Sequence, residues 1–173
     1  MLRPWHIVTS LCALSFAADQ GVKAAVRQWP VGTRWSVVDG WLTLAHAENP
    51  AGLLGLGAQL PLMAKVGLFA FGAVGLTAVA TWWLRSLGPK DRWVPIAVGL
   101  IAGGALGNGL DRVLFGSVTD WAIFGERIFN PIFRAVAGGL TPAFNVADVS
   151  LAMGMATLCI HVASRVWSRS TDS

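Results

Sequence analysis

The sequence predicts an all-α membrane protein with four transmembrane helices. Hydrophobic residues make up 54% of the 173-residue chain and charged residues only 13%, an imbalance that a water-soluble surface could not carry. The apolar residues are also gathered into four long runs. A hydrocarbon layer about 30 Å thick needs roughly 20 helical residues at about 1.5 Å each, and each run meets that length.

The first run, about 5–26, carries Asp19 and Lys23 toward its far end. It follows Arg3 as a leader would, but it passes through Asp19-Gln20-Gly21-Val22-Lys23 with helical character instead of closing at a small-residue cleavage site, so a retained helix is expected. The second run, about 61–84, has no charge after Lys65; the third, about 93–110, has none; the fourth, about 144–164, has only Asp148. Four crossings put both termini on one side and make 28–60 and 111–143 the two loops of the opposite face, within one membrane-embedded domain covering 1–173. Arg85, Lys90 and Arg92 crowd the short loop between spans two and three, and Arg165 and Arg169 follow span four. That density places the short loop and both termini in the cytoplasm. Of nine tryptophans, Trp5, Trp29, Trp82, Trp83, Trp93 and Trp167 lie close to span ends and read as interfacial anchors.

Several function classes drop out. The formal charge of +4 is spread along the chain in ones and twos, not in a stripe, so no nucleic-acid partner is expected. Cys12 and Cys159 both sit in apolar spans, where cysteine acts as a small hydrophobe. His6, His46 and His161 are far apart and form no H-E-x-x-H pattern, so no metal is expected. Gly103-Gly104 matches no phosphate loop and suits close helix packing; no cofactor is expected.

Alternate crossings bring the end of span one, the loop 28–60, the end of span three, the loop 111–143 and the start of span four to a common face. There fall Asp19, Lys23, Asn49, Asn108, Asp111, Arg112, Asp120, Asn145 and Asp148. An ionisable group at bilayer depth costs at least about 2.5 to 3.5 kcal/mol, so each is a functional hypothesis. Helical spacing pairs Asp19 with Lys23, Asn108 with Asp111 and Arg112, and Asn145 with Asp148. Blander roles compete: an interfacial Asp19–Lys23 pair with the lysine snorkelling, Asp111 beside Arg112 anchoring the loop, and Asp148 serving the helix dipole of span four.

The motifs carry a resemblance. Gly103-Gly104-Ala105-Leu106-Gly107-Asn108-Gly109-Leu110-Asp111-Arg112 resembles the G-G-A-x-G-N-x-x-D-R motif of lipoprotein signal peptidases (signal peptidase II), and Phe144-Asn145-Val146-Ala147-Asp148 matches their F-N-x-A-D. Asp19-Gln20 with Lys23 resembles D-Q-x-x-K, Asn49-Pro50 lies in the first outer loop, and Val118-Thr119-Asp120-Trp121 resembles V-x-D-F. The resemblance implies a membrane aspartic protease with a small β-rich periplasmic platform between spans one and two. It would act as a monomer in the bacterial inner membrane, with membrane lipid around it and its site at the periplasmic face. It would cut diacylglyceryl-modified prolipoproteins just before the lipidated cysteine. By position the catalytic pair would be Asp120 and Asp148, with Asp19, Lys23, Asn49, Asn108, Asp111, Arg112 and Asn145 shaping the site or binding substrate. Two stretches depart from the pattern. Asn49-Pro50-Ala51-Gly52-Leu53-Leu54 replaces N-x-G-A-A-F, and the interval from Asp120 to Asp148 is lengthened by an insertion within 123–140 that includes Gly125-Glu126-Arg127 and Arg134.

Two facing carboxylates can hydrolyse a peptide without metal or nucleophilic side chain, one taking a proton from water and the other giving one. Two like charges at close range resist joint ionisation, so the pair shares a proton. A catalytically silent lipoprotein-binding paralogue and a proton-coupled transporter are the competing classes; retention of both aspartates weighs against the first, and clustering of the ionisable groups on one face against the second.

Overall fold

The computed structural model describes residues 3–50, 91–137 and 141–171, with isolated positions 61, 64, 75 and 79. Apart from those positions, the expected second span (61–84) and the departure at 51–54 lie outside the described residues. The described chain is mostly helical with one small sheet: α1 (Pro4–Val26), β1 (Arg34–Val38), β2 (Leu42–Asn49), α2 (Trp93–Phe115), β3 (Val118–Phe124), α3 (Glu126–Ala137) and α4 (Val146–Thr171).

Helix α1 starts on Pro4, whose missing N–H is no loss in a first turn. Its buried residues Val8, Ser15, Asp19, Lys23 and Val26 fall on one stripe, apolar at either end and charged between at Asp19 and Lys23. Asp19 and Lys23 are both 0% exposed, so the lysine does not snorkel to an interface. Helix α2 ends at Gly116, whose φ of 76° makes the left-handed cap that favours glycine. It therefore runs past the expected end at 110, and Asp111 and Arg112 lie in its last turns and not in a loop. Within the described residues, Trp93–Phe115 and the Val146–Arg165 part of α4 are long and apolar enough to cross a membrane.

Helix α2 packs against both α1 and α4. Small residues allow the approach: a Cβ added at Gly103 would stand 2.7 Å from the Cys12 carbonyl oxygen, and one at Gly104 would stand 2.5 Å from that of Ala147. A 2.6 Å hydrogen bond from Ser15 to Ser150 ties α1 to α4. At the far end of α2, Asp91 accepts from Trp93 N (3.2 Å) and pairs with Arg165 (2.7 Å) and His161 (3.3 Å), joining the start of α2 to the end of α4.

The sheet has the order β1-β2-β3 and is antiparallel throughout. The resemblance implied a platform confined to the first outer loop, whereas β3 comes from the second. Its pairing sets Glu48 opposite Thr119 and Asn49 opposite Val118, with a bulge between Leu44 and Ala47. Phe144 extends the pairing: its carbonyl accepts from Trp121 N and Ala122 N (both 2.9 Å), and its N–H donates to the Ala122 carbonyl (2.7 Å). This stitch brings the start of α4 alongside Asp120. The insertion within 123–140 folds into α3, an amphipathic helix entered through Gly125 (φ 62°). Glu126 fastens it to the sheet by accepting from Arg34 and Thr43, and Asn130 Oδ1 accepts from Thr141 N (2.8 Å) and its hydroxyl (2.7 Å). Of the tryptophans read as anchors, Trp5, Trp93 and Trp167 are exposed, while Trp29 packs edge-on against Trp35 with ring centres 4.4 Å apart.

Candidate active site

The polar stripe of α1 meets the last turns of α2 in a buried ion cluster. Lys23 Nζ has three hydrogens and three acceptors: Asp19 Oδ2 at 2.8 Å, Asp111 Oδ2 at 3.0 Å and Asn108 Oδ1 at 2.9 Å. Asp111 also accepts from Arg27 (2.6 Å) and Gln20 (3.0 Å). Its hydrogen-bonded cations are thus Lys23 and Arg27 from α1, not the neighbouring Arg112 that sequence spacing suggested. Arg112 donates to the Asn108 carbonyl (3.0 Å) and lies within electrostatic range of Asp111, Asp120 and Asp148. The cluster grips backbone as well. Asp111 Oδ2 accepts from Thr119 N (3.2 Å) and Asp19 Oδ1 from Ala147 N (2.9 Å), so the residue before Asp120 and the residue before Asp148 hang on the same ions.

Asp120 and Asp148 meet over Asn145. Asn145 is the N-cap of α4 and Asp148 its third residue, and the two form a reciprocal capping box: Asp148 N donates to Asn145 Oδ1 (2.9 Å), and Asn145 N donates to Asp148 Oδ2 (3.1 Å). With that end engaged, the Asn145 amide donates to Asp120 Oδ1 at 2.6 Å. The other oxygens receive Asn49 Nδ2 on Asp120 (3.2 Å) and Asn108 Nδ2 on Asp148 (2.8 Å). Asp120, in β3 and 4% exposed, is pushed up to about 7, first by burial and then by the negative charge of Asp148; the Asn49 and Asn145 hydrogen bonds and Lys23 offset part of that rise.

All nine residues singled out in the sequence therefore converge, on α1, β2, α2, β3 and α4. The structure adds others. Gln20 donates to Asp19 (3.1 Å), to Asp111 and to the Gly107 carbonyl (3.1 Å). Arg27 donates to the Thr119 hydroxyl (3.0 Å) and stacks 4.2 Å from the Phe115 ring centre. Glu48, across the sheet from Thr119, accepts from Thr119 (3.1 Å), Ser117 and His46 (2.9 Å); His46 Nδ1 lies 2.7 Å from the Trp29 carbonyl. Burial would raise the Glu48 carboxyl, but its hydrogen bonds from Ser117, His46 and Thr119 outweigh that and hold it below the usual range. A signal for Arg27 existed: it lies four residues beyond Lys23 on the stripe that begins at Asp19. Glu48 and Ser117 carried none, because their contact is made between loops distant in sequence.

The fold is that of bacterial membrane enzymes. Two solved structures so described superpose on it, one with a TM-score of 0.73 at 21% identity, covering 90% of this chain and 87% of the other, and one with 0.69 at 24%, covering 88% and 89%. The family model described as signal peptidase (SPase) II matches residues 11–164, and the chain belongs to that family of aspartic endopeptidases. Among its relatives, the lipoprotein signal peptidase of Maridesulfovibrio salexigens is 29% identical, with 88% of this chain and 92% of the relative aligned. That of Aeromonas hydrophila subsp. hydrophila is 33% identical, with 87% and 84% aligned.

Proposed function

We propose that this chain removes signal peptides from diacylglyceryl-modified prolipoproteins, cutting before the lipidated cysteine, with Asp120 and Asp148 as its catalytic dyad. One observation carries the assignment: both carboxylates converge on Asn145 and are held by amide donors, whereas Asp19 and Asp111 on the same face are bonded to cations. A carboxylate bonded to Lys or Arg is held as an anion; one buried beside a second carboxylate can hold a proton, as Asp120 does beside Asp148.

In the resting site Asp120 carries the shared proton, because burial and the neighbouring charge disfavour its anion. Asp148, which accepts from the Asn108 amide and the Asn145 backbone N–H, is the partner left to act as base. Asp148 takes a proton from water as the water oxygen bonds to the scissile carbonyl carbon, and Asp120 gives its proton to the carbonyl oxygen. In the second half Asp148 returns its proton to the leaving nitrogen while Asp120 recovers one from a hydroxyl of the tetrahedral carbon. The C–N bond breaks, leaving a new carboxyl terminus on the signal peptide and a free amine on the cysteine, with the dyad restored. Asn108, Arg112, Asn145 and Asn49 orient the pair; Asp19, Lys23 and Asp111 hold the backbone under it.

The whole chain makes one membrane-embedded peptidase domain of four spans in the bacterial inner membrane, acting as a monomer with cytoplasmic termini and its site at the periplasmic face. A site there lets the acyl chains stay in lipid while the peptide bond meets water. The test is cleavage of a diacylglyceryl-modified prolipoprotein by the purified chain in detergent, beside its Asp120→Asn and Asp148→Asn variants and beside unmodified substrate. Cleavage of the lipidated substrate alone, and by the unsubstituted enzyme alone, is expected. Intact substrate with tight binding would overturn the proposal in favour of a silent lipoprotein-binding paralogue.

A further inference from the structure

A helix on a water-soluble surface packs its apolar side and turns its polar side to solvent. Helix α3, the insertion after β3, does the reverse. Its polar residues Glu126 and Asn130, one turn apart, hold it to the molecule: Glu126 accepts from Arg34 and Thr43, and Asn130 accepts from Thr141. Its apolar residues Ile128, Phe129 and Ile132 are 44 to 52% exposed. Trp41, whose carbonyl accepts from Gly125 N (2.8 Å) at the entry to the helix, is exposed as well. Glu126 is paired to Arg34, and the other two charges of α3 are Arg127 and Arg134. Both are exposed, and seven residues of helix set them within about 20° of each other around its axis.

Position and charge together say what covers this face. Thr141, which Asn130 holds, lies five residues ahead of Val146, where α4 begins, and α4 from Val146 to Arg165 is long and apolar enough to cross a membrane. Helix α3 therefore stands beside the mouth of a span, at headgroup height, with a basic edge toward whatever lies there. A protein partner would need about 800 Å² of surface on each side, far more than a few half-exposed side chains supply. A lipid surface needs only an apolar stripe and a basic edge. We propose that α3 lies in the membrane surface beside the active site, with Ile128, Phe129 and Ile132 in the acyl boundary, Trp41 among the headgroups and Arg127 and Arg134 on anionic phospholipid. The inference rests on the membrane-embedded reading given above. Because α3 follows the strand that carries Asp120 and is bonded to Thr141 ahead of Asp148, its seat in lipid sets the height of both halves of the dyad.

The experiment uses the full chain in phosphatidylcholine vesicles containing phosphatidylglycerol, with one cysteine at a time carrying an environment-sensitive fluorophore. Ile132→Cys and Arg134→Cys are made in a chain with Cys12→Ala and Cys159→Ala; the exposed Cys159 of a Cys12→Ala chain marks the interior of α4. At position 132 emission should shift to shorter wavelength and be quenched by lipid bearing a nitroxide high on its acyl chain, while at 134 it should be quenched by aqueous iodide. Nitroxide-labelled phosphatidylglycerol should be favoured over labelled phosphatidylcholine at position 132 by about fivefold, the scale of one basic residue at a membrane surface, and the ratio should fall to near one when Arg127→Gln and Arg134→Gln are added. Iodide quenching at 132 equal to that at 134 overturns the proposal, as does a position 132 shielded from both quenchers, which would mean that protein covers the face. Equal quenching by the two labelled lipids overturns the anionic contact. Cys159 out of reach of lipid quenchers would instead count against the membrane-embedded reading on which the proposal rests.

Discussion

Asp111 and Asp120 stand near each other at the same end of the molecule, and both are buried. Asp111 accepts from Lys23 and Arg27, and its backbone contact to Thr119 N makes it a fixed strut. Asp120 accepts from the amides of Asn145 and Asn49 and is pushed up to about 7. Burial alone does not distinguish a structural carboxylate from a reactive one. The surrounding charge does: bonded cations lock the Asp111 anion in place, while Asp120 lies buried beside the negative charge of Asp148, which favours its protonated form in spite of its amide donors.

The largest effects should separate along this line. Asp120→Asn or Asp148→Asn should lower cleavage by about 10⁴-fold, the upper range for losing a positioned acid or base, while the unfolding midpoint in detergent stays near that of the unsubstituted enzyme. Asp111→Asn should do the reverse, costing about 3 to 5 kcal/mol of stability because Lys23 and Arg27 lose their shared anion in a buried setting. Parallel measurements of cleavage and thermal unfolding test the contrast. An Asp111→Asn protein as stable as the parent but inactive would erase the distinction.

A second effect concerns pH. Asp120 keeps its proton below about 7 and loses it above, so kcat/KM should fall about tenfold per pH unit on the alkaline side. Asn49→Ala removes a hydrogen bond that favours the anion, so the alkaline limb should move to higher pH. For stability the sign is that of a raised acid. The folded form binds the proton more tightly than the unfolded chain with its value of 3.8; the resulting stability is fully present below 3.8 and is lost as pH rises through about 7. Melting curves across that window check the second statement without any substrate.

What the sequence made legible follows the reach of its signals. The three described helices read as spans and the polar residues at their ends are local features, visible as apolar runs broken by Asp, Asn and Lys at helical spacing, and alternate crossings suffice to gather them. Strand β3 was visible only as the Val118-Thr119-Asp120 motif, because its partner β2 lies in a different loop and no local pattern announces that pairing. Helix α3 was read as an insertion; Pro131 interrupts its pattern, although Ile128, Phe129 and Ile132 keep helical spacing between Arg127 and Arg134. The capping box of Asn145 and Asp148 was within reach as an i,i+3 pair, but its second use, freeing the Asn145 amide for Asp120, depends on the Phe144 stitch to β3.

Asn145→Ser probes that dual use. Serine caps a helix about as well as asparagine, so α4 should still start at Val146, with a loss of about 1 kcal/mol from the missing buried hydrogen bonds. Cleavage should nevertheless fall by roughly 10²-fold, because Asp120 then loses the donor it shares with the Asp148 capping box and keeps only Asn49. Retained activity would mean that the stitch alone positions Asp120.

Glu48→Gln should give the smallest change, and its pH dependence tells which kind of carboxylate Glu48 is. Glutamine can still accept from Thr119 or Ser117 but gives up charge-assisted bonds for neutral ones, a difference of about 1 kcal/mol. Because the Glu48 carboxyl is held below its usual range, its contribution is present above the unfolded value of 4.5 and is lost as pH falls through the lower folded value. The variant should therefore be less stable than the parent at neutral pH and converge with it in acid, the opposite course to that of Asp120. If the gap between the two melting curves were constant with pH, Glu48 would be acting through shape and not charge, and it would belong with neither Asp111 nor Asp120.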